Sequence, residues 1–214
     1  MPTRALLMEF IGTFFLVLTI GMCVVPPNAT GSMAPIAIGA VLMVMVYAGG
    51  HISGAHYNPA VTLAAVVRGA HPANQAIGYV AAQVAAGFAA SLVALFLKGN
   101  PTPSPMSIDL FPALLAEFLF TFALAFVVLN VATAKATANN GYFGLAIAFT
   151  VVAGAYAVGG ISGGAFNPAV AVSLAIMKII KWADIWVHLV GSLGGGAAAG
   201  VAFKMIVHEK PATI

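Results

Sequence analysis

The sequence predicts an all-α membrane protein with six transmembrane helices and two half-membrane helices, arranged as two inverted repeats. Three observations carry this. First, of 214 residues only 6% are charged and 62% are hydrophobic, where a soluble domain has about a quarter charged. Second, Asp, Glu, Lys and Arg are absent from Phe10 to Val67, from Gly69 to Leu97 and from Ala136 to Met177, and roughly 20 uncharged apolar residues cross a bilayer as one helix. Third, the sequence starts again near its middle. The composition excludes an ordinary soluble enzyme, and a net charge of +3 is too small to point to nucleic acid.

The first span is expected near 5–25. It follows Arg4, contains Glu9 and shows no small-residue cleavage site, so it reads as a retained helix rather than a signal peptide. Gly and Pro then punctuate the chain into spans near 34–50, 76–97, 110–131, 142–158 and 183–206. Two apolar pieces, 58–67 and 167–177, are too short to cross. Residues 99–109, with Pro101, Pro103 and Pro105, form a linker between a first repeat (1–98) and a second (110–214).

The repeat is explicit. Glu9-Phe10-x-x-Thr13-Phe14 recurs as Glu117-Phe118-x-x-Thr121-Phe122, and Ile52-Ser53-Gly54-x-x-x-Asn58-Pro59-Ala60-Val61 recurs as Ile161-Ser162-Gly163-x-x-x-Asn167-Pro168-Ala169-Val170, at offsets of 108 and 109 residues. Three crossings per copy force the second copy to enter the membrane upside down. Arg4, Arg68, Lys135, Lys204 and Lys210 then share a side against Lys98, Lys178 and Lys181. Five against three places both termini in the cytoplasm.

The short pieces each open on Asn-Pro, the best pairing to start a helix, because Asn caps free N–H groups and Pro loses nothing at the first position. Ten or eleven residues separate each Asn from the next charge, Arg68 or Lys178. Each helix is therefore roughly 15 Å long, half a bilayer core, with its charge at the headgroups. The Gly-rich segments Gly49–Tyr57 and Gly159–Phe166 before them are expected to be irregular, which membrane depth tolerates only inside protein or beside a wet cavity. Two such half-helices meeting at the midplane describe a narrow aqueous path with positive helix ends aimed at its centre.

These residues make the chain resemble the aquaporin (major intrinsic protein) family over essentially its whole length: the two Asn-Pro-Ala boxes, Ser53-Gly54-Ala55-His56-Tyr57, Ser162-Gly163-Gly164-Ala165-Phe166 and the repeated Glu-Phe-x-x-Thr-Phe. The resemblance implies a channel, and a homotetramer with one pore per subunit in a lipid bilayer. It implies that Asn58 and Asn167, opening Asn58-Pro59-Ala60 and Asn167-Pro168-Ala169, form the central donor pair. It implies that Glu9 and Glu117 hold the pore loops by accepting backbone N–H groups; a proton relay is the rival reading for acids in apolar spans. His56 matches the family His before the first box and is expected on the cytoplasmic half of the pore. The bacterial inner membrane is the expected location.

By the family's spacing the four constriction positions fall on Ile38, Ala155, Gly164 and Val170, where water-selective members carry an aromatic, a His, a small residue and an Arg. The chain's arginines, Arg4 and Arg68, lie elsewhere. Losing bulk and donors together makes the filter wider and more apolar. Water gains less compensation there, and a larger uncharged solute with apolar faces loses less. The expected cargo is water with glycerol, urea, ammonia or undissociated metalloid acids such as arsenous acid. The alternatives are a mainly water-conducting pore and a secondary transporter, which would need a coupling-ion site.

No metal or cofactor is expected: His51 and His56 have no nearby carboxylate or Cys, and Cys23 is the single cysteine. No nucleophile with an obvious base is present either, so no enzyme is expected. Gly191 with Gly195 and Gly196 with Gly200 read as helix-contact residues.

Overall fold

A computed structural model describes residues 3–207. Its helices are α1 (Thr3–Val24), α2 (Ala34–Ser53), α3 (Pro59–Arg68), α4 (Ala73–Leu97), α5 (Leu110–Thr133), α6 (Phe143–Ser162), α7 (Pro168–Ile176) and α8 (Ile185–Ile206). Among the described residues, six helices are long and apolar enough to span a membrane. The half-helices α3 and α7 have 10 and 9 residues. Lys210, one of the charges used to orient the chain, lies outside the described residues.

The glycine-rich segments before the half-helices are more regular than their composition predicts. α2 continues through Gly49 and Gly50 to Ser53, and α6 through Gly159 and Gly160 to Ser162. Position 49 within the helix is a glycine because the Tyr57 hydroxyl and the Met8 side chain occupy the space a Cβ would need. The helices stop instead at Gly54 (φ 83°) and Gly163 (φ 93°), whose left-handed backbone turns each N–H onto a carbonyl four residues back. Only 54–58 and 163–167 are non-helical.

The two repeats interlock. α1 packs on α2 and α4 as α5 packs on α6 and α8, α2 meets α6, and each half-helix packs on the last helix of the other repeat: α3 on α8, α7 on α4. Small residues permit these approaches. Gly191 and Gly195 lie against the α5 backbone at Leu114 and Phe118, whereas Gly196 and Gly200 lie against α3 at Ala60, Ala64 and Val67. α8 thus uses one pair of glycines for each neighbour. At the equivalent position, Gly87 of α4 receives the carbonyl of Ala169. Outward faces are apolar, with Ile77, Phe96 and Phe111 each at least 74% exposed, as helices in hydrocarbon require.

One charge departs from expectation. Arg68 does not stand free at the headgroups: it is 3% exposed, with its guanidinium 4.4 Å from the Phe203 ring centroid. The end of α3 tucks under α8, and a cation over an aromatic face retains part of the stabilisation that water would supply. Lys178 is exposed. The linker 99–109 is tied to the segment after α7, through Met106 N–H to Ile179 O (2.9 Å) and Lys181 Nζ to Ser107 Oγ (3.2 Å).

Gly195→Ala is expected to lower the Tm in detergent, since the added carbon runs into the Phe118 carbonyl and overpacking costs about 1–3 kcal/mol. Gly160→Ala meets nothing within 4 Å and should be neutral or slightly stabilising, because Ala forms helix better than Gly by about 1 kcal/mol. Thermal unfolding of the two variants side by side checks both.

Candidate functional site

The site begins with the two boxes. Asn58 and Asn167 adopt extended backbone (φ −156° and −159°) and cap their helices, the Asn58 Oδ1 accepting from Ala60 N and the Asn167 Oδ1 from Ala169 N and Val170 N. Pro at the following position lacks only an N–H the helix would not have used. The amides cross over. Asn58 Nδ2 donates to Phe166 O and Asn167 Nδ2 donates to Tyr57 O, both at 2.9 Å. An Asn amide has two N–H bonds, so each Asn caps its own helix, ties it to the other repeat, and retains one donor.

Tyr57 and Phe166, which supply those carbonyls, have φ of 49° and 48°, a conformation that costs a bulky residue energy and persists only where the surroundings over-determine it. Burial does so. Both are at most 1% exposed; the Tyr57 ring lies against Gly12 and its hydroxyl against Gly49, that hydroxyl donates to Met45 O at 2.9 Å, and Phe166 lies against Gly154.

Behind each loop stands a carboxylate. Glu9, fully buried, accepts from Ser53 Oγ (2.7 Å), His56 N (2.9 Å), Tyr57 N (2.7 Å) and Gln83 Nε2 (2.8 Å). Glu117, also fully buried, accepts from Ser162 Oγ (2.7 Å), Ala165 N (2.9 Å) and Phe166 N (2.7 Å). The carbonyls that end α2 and α6 are met by Tyr79 Oη donating to Ser53 O (2.8 Å) and His188 Nε2 donating to Ser162 O (2.7 Å). Neither carboxylate lines the pore cavity.

That cavity, of about 250 Å³, brings together Asn58, Asn167 and all four expected constriction residues, Ile38, Ala155, Gly164 and Val170. It runs to Val46 and Ile147, which also line a second cavity of about 220 Å³ reaching the α5–α6 connection at Thr137–Asn140. Among the described residues no Asp, Glu, Lys or Arg lines either. His56 lines the first cavity, with its ring in a cluster with His71 and Tyr79, centroids 4.9 and 5.1 Å away. His51 is exposed on α2, apart from this cluster. Such a path gives an ion nothing to replace its water, and the two helix N-termini at its centre repel cations.

Several participants escaped sequence reasoning: Gln83, Tyr79, His188, Val46, Ile147 and Thr62, whose hydroxyl oxygen lies 3.1 Å from both His56 Nδ1 and Gln83 Nε2. Extending the 109-residue register past the boxes would have found some of them, since it places Tyr79 against His188 and Gln83 against Ser192.

Comparison with known proteins is consistent across methods. A family model described as major intrinsic protein matches residues 2–203. Aquaporin NIP1-4 of Oryza sativa subsp. japonica is 37% identical over 211 residues, 95% of this chain and 77% of that one. Probable aquaporin NIP4-2 of Arabidopsis thaliana is 36% identical over 220 residues, 98% and 77% of the two. The X-ray structure of the aquaglyceroporin from Plasmodium falciparum superposes with a TM-score of 0.77 at 20% identity, over 95% of this chain and 96% of that one.

Glu117→Leu leaves two loop N–H groups and the Ser162 hydroxyl without an acceptor, at about 1–3 kcal/mol each. It is expected to abolish both folding and water flux. Gln83→Leu leaves Glu9 with the same three kinds of donor that Glu117 has naturally, so it should lower the Tm only modestly. Thermal unfolding and osmotic water permeability, measured on both variants, check the contrast.

Proposed function

Because the chain belongs to the major intrinsic protein family, we propose that its pore is a passive channel for water together with small uncharged solutes: glycerol, urea, ammonia and undissociated metalloid acids. It is a multi-pass integral membrane protein and not an enzyme. The observation that supports the wider cargo is the ring of Ile38, Ala155, Gly164 and Val170 around one continuous cavity. Three alkyl side chains and a glycine offer no donor. Water entering such a ring gives up hydrogen bonds without side-chain replacement, whereas a polyol or a neutral acid presents apolar faces to the wall and meets its donors at Asn58 and Asn167. In this reading Glu9 and Glu117 hold the two loops, as their hydrogen bonds to His56, Tyr57, Ala165 and Phe166 favour, and His56 contributes to the wall.

We further propose a homotetramer with one pore per subunit and cytoplasmic termini. The orientation rests on the five-to-three distribution of Lys and Arg. The similar curated proteins cited above are plant proteins, which lends the expected bacterial membrane no support.

Proteoliposomes under osmotic shock, challenged in one preparation with glycerol, urea and an undissociated metalloid acid, are expected to show solute entry well above protein-free liposomes, linear in concentration and independent of ion gradients. Saturation at low solute concentration, or dependence on an ion gradient, indicates a transporter. Water flux without solute entry indicates a mainly water-conducting pore. Val170→Arg is expected to cut solute flux much more than water flux; an equal fall in both, or no change, removes Val170 from the constriction.

A further inference from the structure

The two repeats place a second ring in the channel. Shifting the filter by the 109-residue register sends Ile38 to Ile147, Val170 to Val61, Ala155 to Val46 and Gly164 to Ala55. All four images line the pore cavity. The vestibules correspond as well: Gly159 and Gly163 line the first cavity, and their images Gly50 and Gly54 line the second. The second cavity is therefore the inverted counterpart of the mouth above the filter.

We propose that the ring setting the size limit for solutes is this image, Val46, Ala55, Val61 and Ile147, rather than the four family constriction positions. The inference rests on the channel reading above.

Three observations carry it. Val46 and Ile147 line both cavities and so stand where the two adjoin, whereas the four filter residues line the first alone. Side-chain size agrees. Two positions are identical in the rings, Ile147 with Ile38 and Val61 with Val170, and the other two are larger in the image: Val46 has two carbons more than Ala155, and Ala55 one more than Gly164. Exposure follows the same order at three positions. Val46, Ala55, Val61 and Ile147 are 2, 7, 3 and 6% exposed; in the filter Val170 is equally buried at 4%, and Ile38, Ala155 and Gly164 are half-buried.

The ring is held as the filter is, by two full-length helices, one half-helix and one loop residue: Ala55 lies in the loop before α3 as Gly164 lies in the loop before α7. Val46 and Ile147 sit on the full-length helices α2 and α6, and Val61 is on α3. Pore diameter and the donors lining it together set what passes. At this ring the side chains are all alkyl, so the discrimination is steric. A solute narrow enough for the filter meets a tighter ring beyond the Asn pair.

The test compares glycerol and water permeability in the same proteoliposomes. Val46→Ala is expected to raise the glycerol-to-water ratio several-fold. Val46→Ala with Ala55→Gly, which copies the filter composition into the inner ring, should raise it further, and glycine accepts the backbone at Ala55 (φ 51°) readily. Val46→Leu should lower the ratio. Should Val46→Ala fail to fold, shown by lost water flux, Ile147→Val on α6 asks the same question and is expected to raise the ratio. A ratio unmoved by substitutions at Val46 and Ile147, in protein that still conducts water, overturns the assignment, most clearly if Ile38→Ala raises the ratio instead. Wild-type protein that passes neither glycerol nor water above protein-free liposomes overturns the channel reading itself and this inference with it.

Discussion

A chain that turns round in the middle of a bilayer must satisfy every backbone polar group from within the protein, because hydrocarbon supplies no partner. Two fully buried carboxylates meet that requirement here. Glu9 and Glu117 each gather two consecutive loop N–H groups and a serine hydroxyl. Hydrogen bonds from several donors allow a carboxylate to lie in apolar surroundings, and the carboxylate in turn fixes the loop. The left-handed glycines, the wedged Tyr57 and Phe166 and the crossed Asn amides all depend on loops held in this one shape.

A consequence concerns the pore wall. The polar groups that hold the loops face away from the path, so what remains beside it is largely alkyl. The two Asn residues and His56 are exceptions, and each Asn caps a helix and still has a donor to spare. Selectivity then reduces to two variables, the width of apolar rings and the donors at the centre, with the half-helix ends disfavouring cations. Arg68, stacked on Phe203 beneath α8, contributes to packing away from the filter.

The repeats have kept the carboxylate and changed what surrounds it. Gln83 donates to Glu9, but its counterpart is Ser192, whose hydroxyl bonds to its own helix at His188 O. Tyr79 and His188 are different side chains making the same hydrogen bond to the end of a helix. The rings follow this pattern, with two positions retained and two enlarged on one side of the Asn pair. The halves are therefore alike in backbone and unequal in the side chains that line them.

Much was legible from residues alone. Uncharged runs, the Asn-Pro starts and the duplicated motifs determined six crossings, two half-helices and their inversion, because hydrophobic length, helix capping and an odd number of crossings per copy are local properties of a sequence. The four expected constriction positions could be counted from the boxes by the family's spacing, and all four line one cavity. The tertiary structure decided what depends on contact between distant segments. It excluded a side chain at position 49 because the Tyr57 hydroxyl returns to that space. It buried Arg68 because α8 covers the end of α3, and it made Val46 and Ile147 the boundary between two cavities because α2 meets α6 there. Width at the centre of a pore is set by side chains from several elements converging at one level. Composition and spacing therefore identified the channel, and packing decided which side chains meet on its wall.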